Sequence, residues 1–210
     1  MRIALAIEIE ELVFDTLAMR ATALHAARAA EGIAVPLAEV HRAHTGVTAQ
    51  MALAQIPAAS AVLDSVGESL TLRRAADAVR AALDGAPLTF DPDERDALAA
   101  LSAEFPVGVV TRAPRDAALR MLEHAGLDQC MRAVRSLDEV LVGAQPSVWS
   151  SALVRLRADR GVAIAGGAIL SAAASAGLHT VQFGGLPVAG VDAAIPSLRA
   201  LDASFIASLF

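Results

Sequence analysis

At 210 residues, 55% of them hydrophobic, the chain is long enough to bury a substantial core as one domain or as a domain with an insertion. A net charge of −6 with dispersed arginines argues against a nucleic-acid surface built on phosphate contacts, and no apolar run is long enough to span a bilayer. Glu8 interrupts the first apolar run, so no leader pattern opens the chain and a cytoplasmic location is the default expectation.

Much of the apolar content is alanine and only 3% is aromatic, which reads as helix-rich. All 17 basic residues are arginine; lysine, asparagine and tyrosine are absent. Cys130 stands alone, which rules out an internal disulfide, fits a reducing compartment and predicts a small buried side chain.

Residues 3–7 form a short apolar run without polar alternation, as expected of a strand covered on both faces of a parallel sheet. Such sheets bind ligands beyond the carboxyl ends of their strands, where Glu8 and Glu10 emerge. Two residues apart on an extended backbone, both carboxylates would point the same way.

From 17 to about 83 the pattern is helical, with Leu17, Arg20, Ala21, Leu24, Ala27 and Arg28 at helix spacing and Gly32 as a C-terminal stop. Further helices are expected at 36–43, 48–56 and 69–83. Asp91-Pro92-Asp93-Glu94 reads as a helix start, with Asp91 as N-cap, Pro92 at the first helical position and Glu94 completing a capping box.

Strands are then expected at 107–111, 131–135, 162–165 and 180–183, alternating with helices that begin near 114, 146 and 169. A short strand near Ile195 and a final helix follow, with the apolar end from 205 to 210 docked on the body. This alternation predicts an α/β protein with a doubly wound, Rossmann-like parallel sheet and a helical insertion: residues 1–16 and 88–210 as the core, 17–87 as the insertion.

Ile7-Glu8-Ile9-Glu10-Glu11-Leu12-Val13-Phe14-Asp15-Thr16 resembles the first motif of the haloacid dehalogenase (HAD) superfamily, in the branch of phosphoglycolate phosphatases and β-phosphoglucomutases. The usual pattern is apolar-Asp-x-Asp-Gly-x-Leu-x-Asp-Thr, so Glu8 and Glu10 replace both aspartates and Glu11 the glycine. The resemblance implies a helical cap at 17–87 that closes over the site and selects substrate, with Arg20, Thr45 and Gly46 at cap positions that face it. It also implies that Glu8 stands as nucleophile and Glu10 as general acid and base. An extra methylene displaces the attacking oxygen by roughly 1 Å, which can cost on the order of 100-fold.

Thr111 matches the hydroxyl that binds phosphoryl oxygens; otherwise it caps the following helix. The lysine expected to balance the gathered charge falls at Gly143, framed by Asp138-Glu139-Val140 and Pro146-Ser147-Val148-Trp149, and no nearby position carries a cation. Arg112 either reaches in as a substitute or, as its place beside a loop suggests, is solvated. Ala165 stands where the family has an aspartate for magnesium, leaving Glu8 and the Glu10 carbonyl as weak metal ligands.

The leading expectation is therefore a HAD-like protein that has lost phosphoryl transfer, needs no cofactor and serves a binding or regulatory role. The alternative is a magnesium-dependent phosphomonoester hydrolase with an altered site, acting on a small phosphorylated metabolite. A third is a structural partner working through its apolar tail or its helical insertion. The sequence names no ligand and sets no oligomeric state.

Overall fold

The computed structural model describes residues 2–12, 16–44, 49–56, 64–85, 90–136, 145–184 and 188–210. By packing, the chain divides into two units, one formed by Met1–Phe14 with Leu88–Phe210 and the other by Asp15–Pro87.

The first unit opens with strand β1 (Ile3–Glu8), which runs directly into a single helical turn, α1 (Ile9–Leu12). The expected extended backbone through Glu10 is therefore corrected: the chain turns helical one residue after Glu8. In the second unit, α2 (Leu17–Ala30), α3 (Leu37–His44), α4 (Ala49–Gln55) and α5 (Ser65–Gly85) follow. Ala21, Leu24 and Ala27 recur on one face of α2 and pack with Ile33, Val35, Val40, Ala52, Leu53, Ile56 and Ala75 into that unit's own core. At its end, Gly32 takes φ +77°, and the amides of Gly32 and Ile33 return to the carbonyls of Ala29 and Arg28 in a Schellman closure.

Back in the first unit, α6 (Pro92–Glu104) starts as expected, with the Asp91 carboxylate accepting from the Asp93 amide at 2.8 Å. The capping box, however, does not close. Glu94 accepts instead from the Leu198 amide at 2.7 Å, tying α6 to the C-terminal segment. Next come β2 (Val107–Thr111), α7 (Arg115–Ala125), β3 (Ala133–Ser136), α8 (Gln145–Leu156), β4 (Arg160–Ala165), α9 (Gly167–Ser175), β5 (His179–Phe183), β6 (Ala193–Ile195) and α10 (Ala203–Ser208).

Among the described residues the six strands form one all-parallel sheet in the order β3-β2-β1-β4-β5-β6. Helices cover it, and β2 is buried along its whole length, which is why its run lacks alternation. Val148, Trp149, Ala152, Ile169, Leu170 and Ala173 close over Ala6, Val110, Ala163 and Ala165. The order reverses beside β1, so the switch-point crevice of a doubly wound sheet lies at its carboxyl end. Among the described residues no helix is long and apolar enough to cross a membrane.

The last segment docks as expected. Ile206 is fully buried, and the Phe210 ring stands edge-on to His179 with centroids 4.5 Å apart and the Arg160 guanidinium 5.6 Å from its own centroid. Cys130 departs from expectation: it is only half-buried, on the exposed 3-10 turn Asp128–Cys130.

Asp192 fastens the lead-in to β6 onto β5. Its carboxylate accepts from the Thr180 amide at 2.7 Å and from the Thr180 hydroxyl at 3.0 Å. The amide hydrogen bond, with help from the Thr180 hydroxyl and from His179 and against partial burial, holds this carboxyl below its ordinary value of 3.8. A folded value below the unfolded one means stability that is present above about pH 4 and fades as pH falls through the lowered value. The difference in Tm between the wild type and Asp192→Asn should thus be present at neutral pH and close in acid; a gap that widens below pH 4, in the sense of about the unfolded carboxylate value, contradicts the assignment.

Candidate functional site

The register places the site. Glu8, the last residue of β1, pairs with Val110, so Thr111 and the turn that follows β2 lie just beyond it on the neighbouring strand. The helical turn α1 then lifts Glu10 over the same turn. In this way two acidic residues on one strand end and three consecutive residues on the next, Thr111, Arg112 and Ala113, come together; all five are buried.

Glu10 is the hub. Its Oε1 accepts from the Thr111 hydroxyl, from the Arg112 amide at 2.6 Å and from the Ala113 amide at 2.7 Å. Ala113 N–H also points at Thr111 Oγ1, at 3.0 Å. The turn is held from behind by the Ser136 hydroxyl, which donates to the Ala113 carbonyl at 2.7 Å; Thr111 and Ser136 are register partners on β2 and β3. Thr111 therefore does not cap the helix that follows, whose N-cap position is Pro114. Its hydroxyl serves Glu10.

Glu8 meets a cation. The Arg112 guanidinium donates through Nη2 to Glu8 Oε1, and the two side chains are 1% and 0% exposed. The solvated Arg112 of the sequence reading is corrected here: the turn after β2 aims the side chain back across the strand end, where the Glu8 charge draws it in. The available signal was compositional. In a chain without lysine, arginine and histidine are the side chains that can set a positive charge beside a buried carboxylate, and Arg112 is the one near Glu8 in sequence register.

On the other side of β1, Ile164 pairs with Ile7, so Ala165 comes next to Glu8 across the switch point and presents a fully buried methyl group. Ser136 and the amides of Arg112 and Ala113 were missed from sequence. A backbone donor leaves no trace in residue type, and a serine ending a short edge strand is unremarkable without the register.

Arg20 is buried on α2, in the helical unit. Thr45, Gly46 and Gly143 fall outside the described residues, as do Asp138, Glu139 and Val140. Trp149 is core, 1% exposed.

Chemically, the cluster is a neutralised carboxylate beside a filled ring of hydrogen-bond donors. A guanidinium on Glu8 balances its charge in a place from which water is excluded, where charge pairing counts most.

No protein-family model matches the chain, and no curated protein matches it in sequence. Solved structures do match. CbbY from Rhodobacter sphaeroides, in complex with phosphate, superposes with a TM-score of 0.79 at 19% identity, over 95% of this chain and 96% of that one. A β-phosphoglucomutase from Clostridium difficile gives 0.80 at 14% identity over 100% and 97% of the two chains. A HAD hydrolase of family IA, variant 3, from Entamoeba histolytica gives 0.77 at 14% over 100% and 99%. The chain thus has the Rossmann-like α/β fold of the HAD hydrolases, across nearly its whole length. Fold alone does not carry activity, which must be argued from the site.

Proposed function

We propose that this chain is a HAD-fold protein in which phosphoryl transfer is silent and which acts by binding, in a regulatory role. One observation carries this: the carboxylate at the nucleophile position, Glu8, is fully buried and ion-paired with Arg112. A carboxylate attacks phosphorus only with an electron pair directed at an accessible substrate. Here one carboxylate oxygen, Oε1, is engaged by the guanidinium.

The magnesium ion that the fold family implies does not suit the described residues either. Magnesium asks for oxygen ligands in near-ideal octahedral array. Glu8 already faces a cation, and Ala165 offers a methyl group where a carboxylate would be needed. The positive charge against Glu8 is that of a fixed guanidinium.

The test is hydrolysis of p-nitrophenyl phosphate and of common sugar phosphates by the purified protein, with and without magnesium. The expected result is a rate equal to that of the buffer control in both. Magnesium-dependent turnover that Glu8→Ala abolishes would overturn silence and restore the reading as a phosphomonoester hydrolase acting on a small phosphorylated metabolite.

A further inference from the structure

Arg28, in the last turn of α2, is 3% exposed, and its Nε is sealed from solvent with no hydrogen-bond partner among the described residues. A buried guanidinium ordinarily has its donors matched to acceptors, because an unmatched charged donor away from water is costly. The acceptors closest to this one along the chain are taken. Glu31 pairs with Arg74 of α5. The carbonyls of Arg28 and Ala29 accept the amides of Glu31, Gly32 and Ile33 in the closure of the helix. Glu39 on α3 is felt only through space: burial pushes the Arg28 guanidinium below its ordinary value of 12.5, and the Glu39 charge offsets this only in part. A methionine would fill the same space without that electrostatic cost, so the charge does not serve stability. A group held at a cost in stability is what recognition of a ligand requires.

We propose that Arg28 is a ligand site of the helical unit, where its guanidinium binds the carboxylate of a small molecule. The ligand class follows from the donor and its neighbour. The planar fork of a guanidinium matches the paired oxygens of a carboxylate or of a phosphate. Glu39 decides between them, since a resident negative charge repels a singly charged carboxylate less than a phosphate dianion. The path from solvent is short, because Ala29, Ala30 and Gly32 beside Arg28 on the chain are exposed. Arg28 lies about 12 Å along α2 from Arg20, so this is a different place from the cap positions that the family resemblance implies.

The experiment compares wild type with Arg28→Met while acetate, or in a second series inorganic phosphate, replaces chloride at constant ionic strength. The arginine Nε–H cross-peak that disappears from the proton–nitrogen spectrum of Arg28→Met identifies Arg28, and the sealed Nε protects that proton from exchange with water. Expected is a saturable movement of this peak with acetate, at lower concentration than with phosphate. Acetate should also raise the Tm of wild type, followed by circular dichroism, by about 2 °C or more and leave that of Arg28→Met unchanged. In chloride alone, Arg28→Met should unfold at the temperature of wild type or above it. A peak that stays in place with acetate overturns the proposal, as does an equal Tm response in the two proteins. A tighter response to phosphate overturns the carboxylate assignment. An Arg28→Met protein that fails to fold, or whose Tm in chloride falls by more than about 4 °C, shows that Arg28 serves the fold and likewise overturns the site. None of these readouts involves phosphatase turnover, so this inference and the reading of silent chemistry fail independently.

Discussion

Arg112→Ala is expected to lower the stability of the protein by about 3–5 kcal/mol, the usual consequence of removing one member of a buried ion pair. The cost arises less from losing an attraction than from what remains. Glu8 is fully buried at the end of a central strand, paired with the Arg112 guanidinium. Without the guanidinium, its charge sits in an environment that solvates it poorly. The backbone is spared: the substitution leaves the residue 112 amide available to donate to Glu10 as it does in the wild type.

The double variant Glu8→Leu/Arg112→Met removes both charges and keeps the volume, and buried pairs exchanged in this way come out neutral or more stable. It should therefore recover most of the loss. Urea unfolding followed by Trp149, which is 1% exposed and the only tryptophan, reads both variants. An Arg112→Ala protein within about 1 kcal/mol of wild type, the range of an exposed pair, would show that the pair is not sealed from water.

Glu10→Ala is expected to cost about 3 kcal/mol. Each buried donor left without its acceptor costs about 1–3 kcal/mol, three donors are involved, and water entering the vacated space takes back part of the sum. Glu10→Gln is the control. It keeps an acceptor oxygen in place and loses only the charge, so it should cost about half as much. Equal losses for Ala and Gln would mean that volume, not hydrogen bonding, is what Glu10 contributes.

Much of the core was legible because burial on both faces leaves a strand no reason to alternate. The runs at 3–7, 107–111, 162–165 and 180–183 all became strands of the parallel sheet. The third strand was placed two residues early at its start: β3 spans Ala133–Ser136, an edge strand with only alternate residues buried, and the sequence signal there is correspondingly faint. The capping box at Glu94 failed for a tertiary reason. The Leu198 amide, 104 residues away, competes for the same carboxylate and takes it.

Residue types alone determined that carboxylates gather at the end of the first strand, that a hydroxyl ends the second, that no lysine exists to serve them and that alanine stands at 165. These are matters of composition and local period, which require no knowledge of neighbours. Only the tertiary structure decided what those groups do to one another. The pairing of Glu8 with Val110 carries the turn after β2 against the acidic residues, which turns Arg112 from a loop side chain into the counterion of Glu8 and makes Glu10 the ligand of two backbone amides. Side-chain direction and backbone donors depend on strand register and turn geometry, and both are set by pairing between segments about a hundred residues apart.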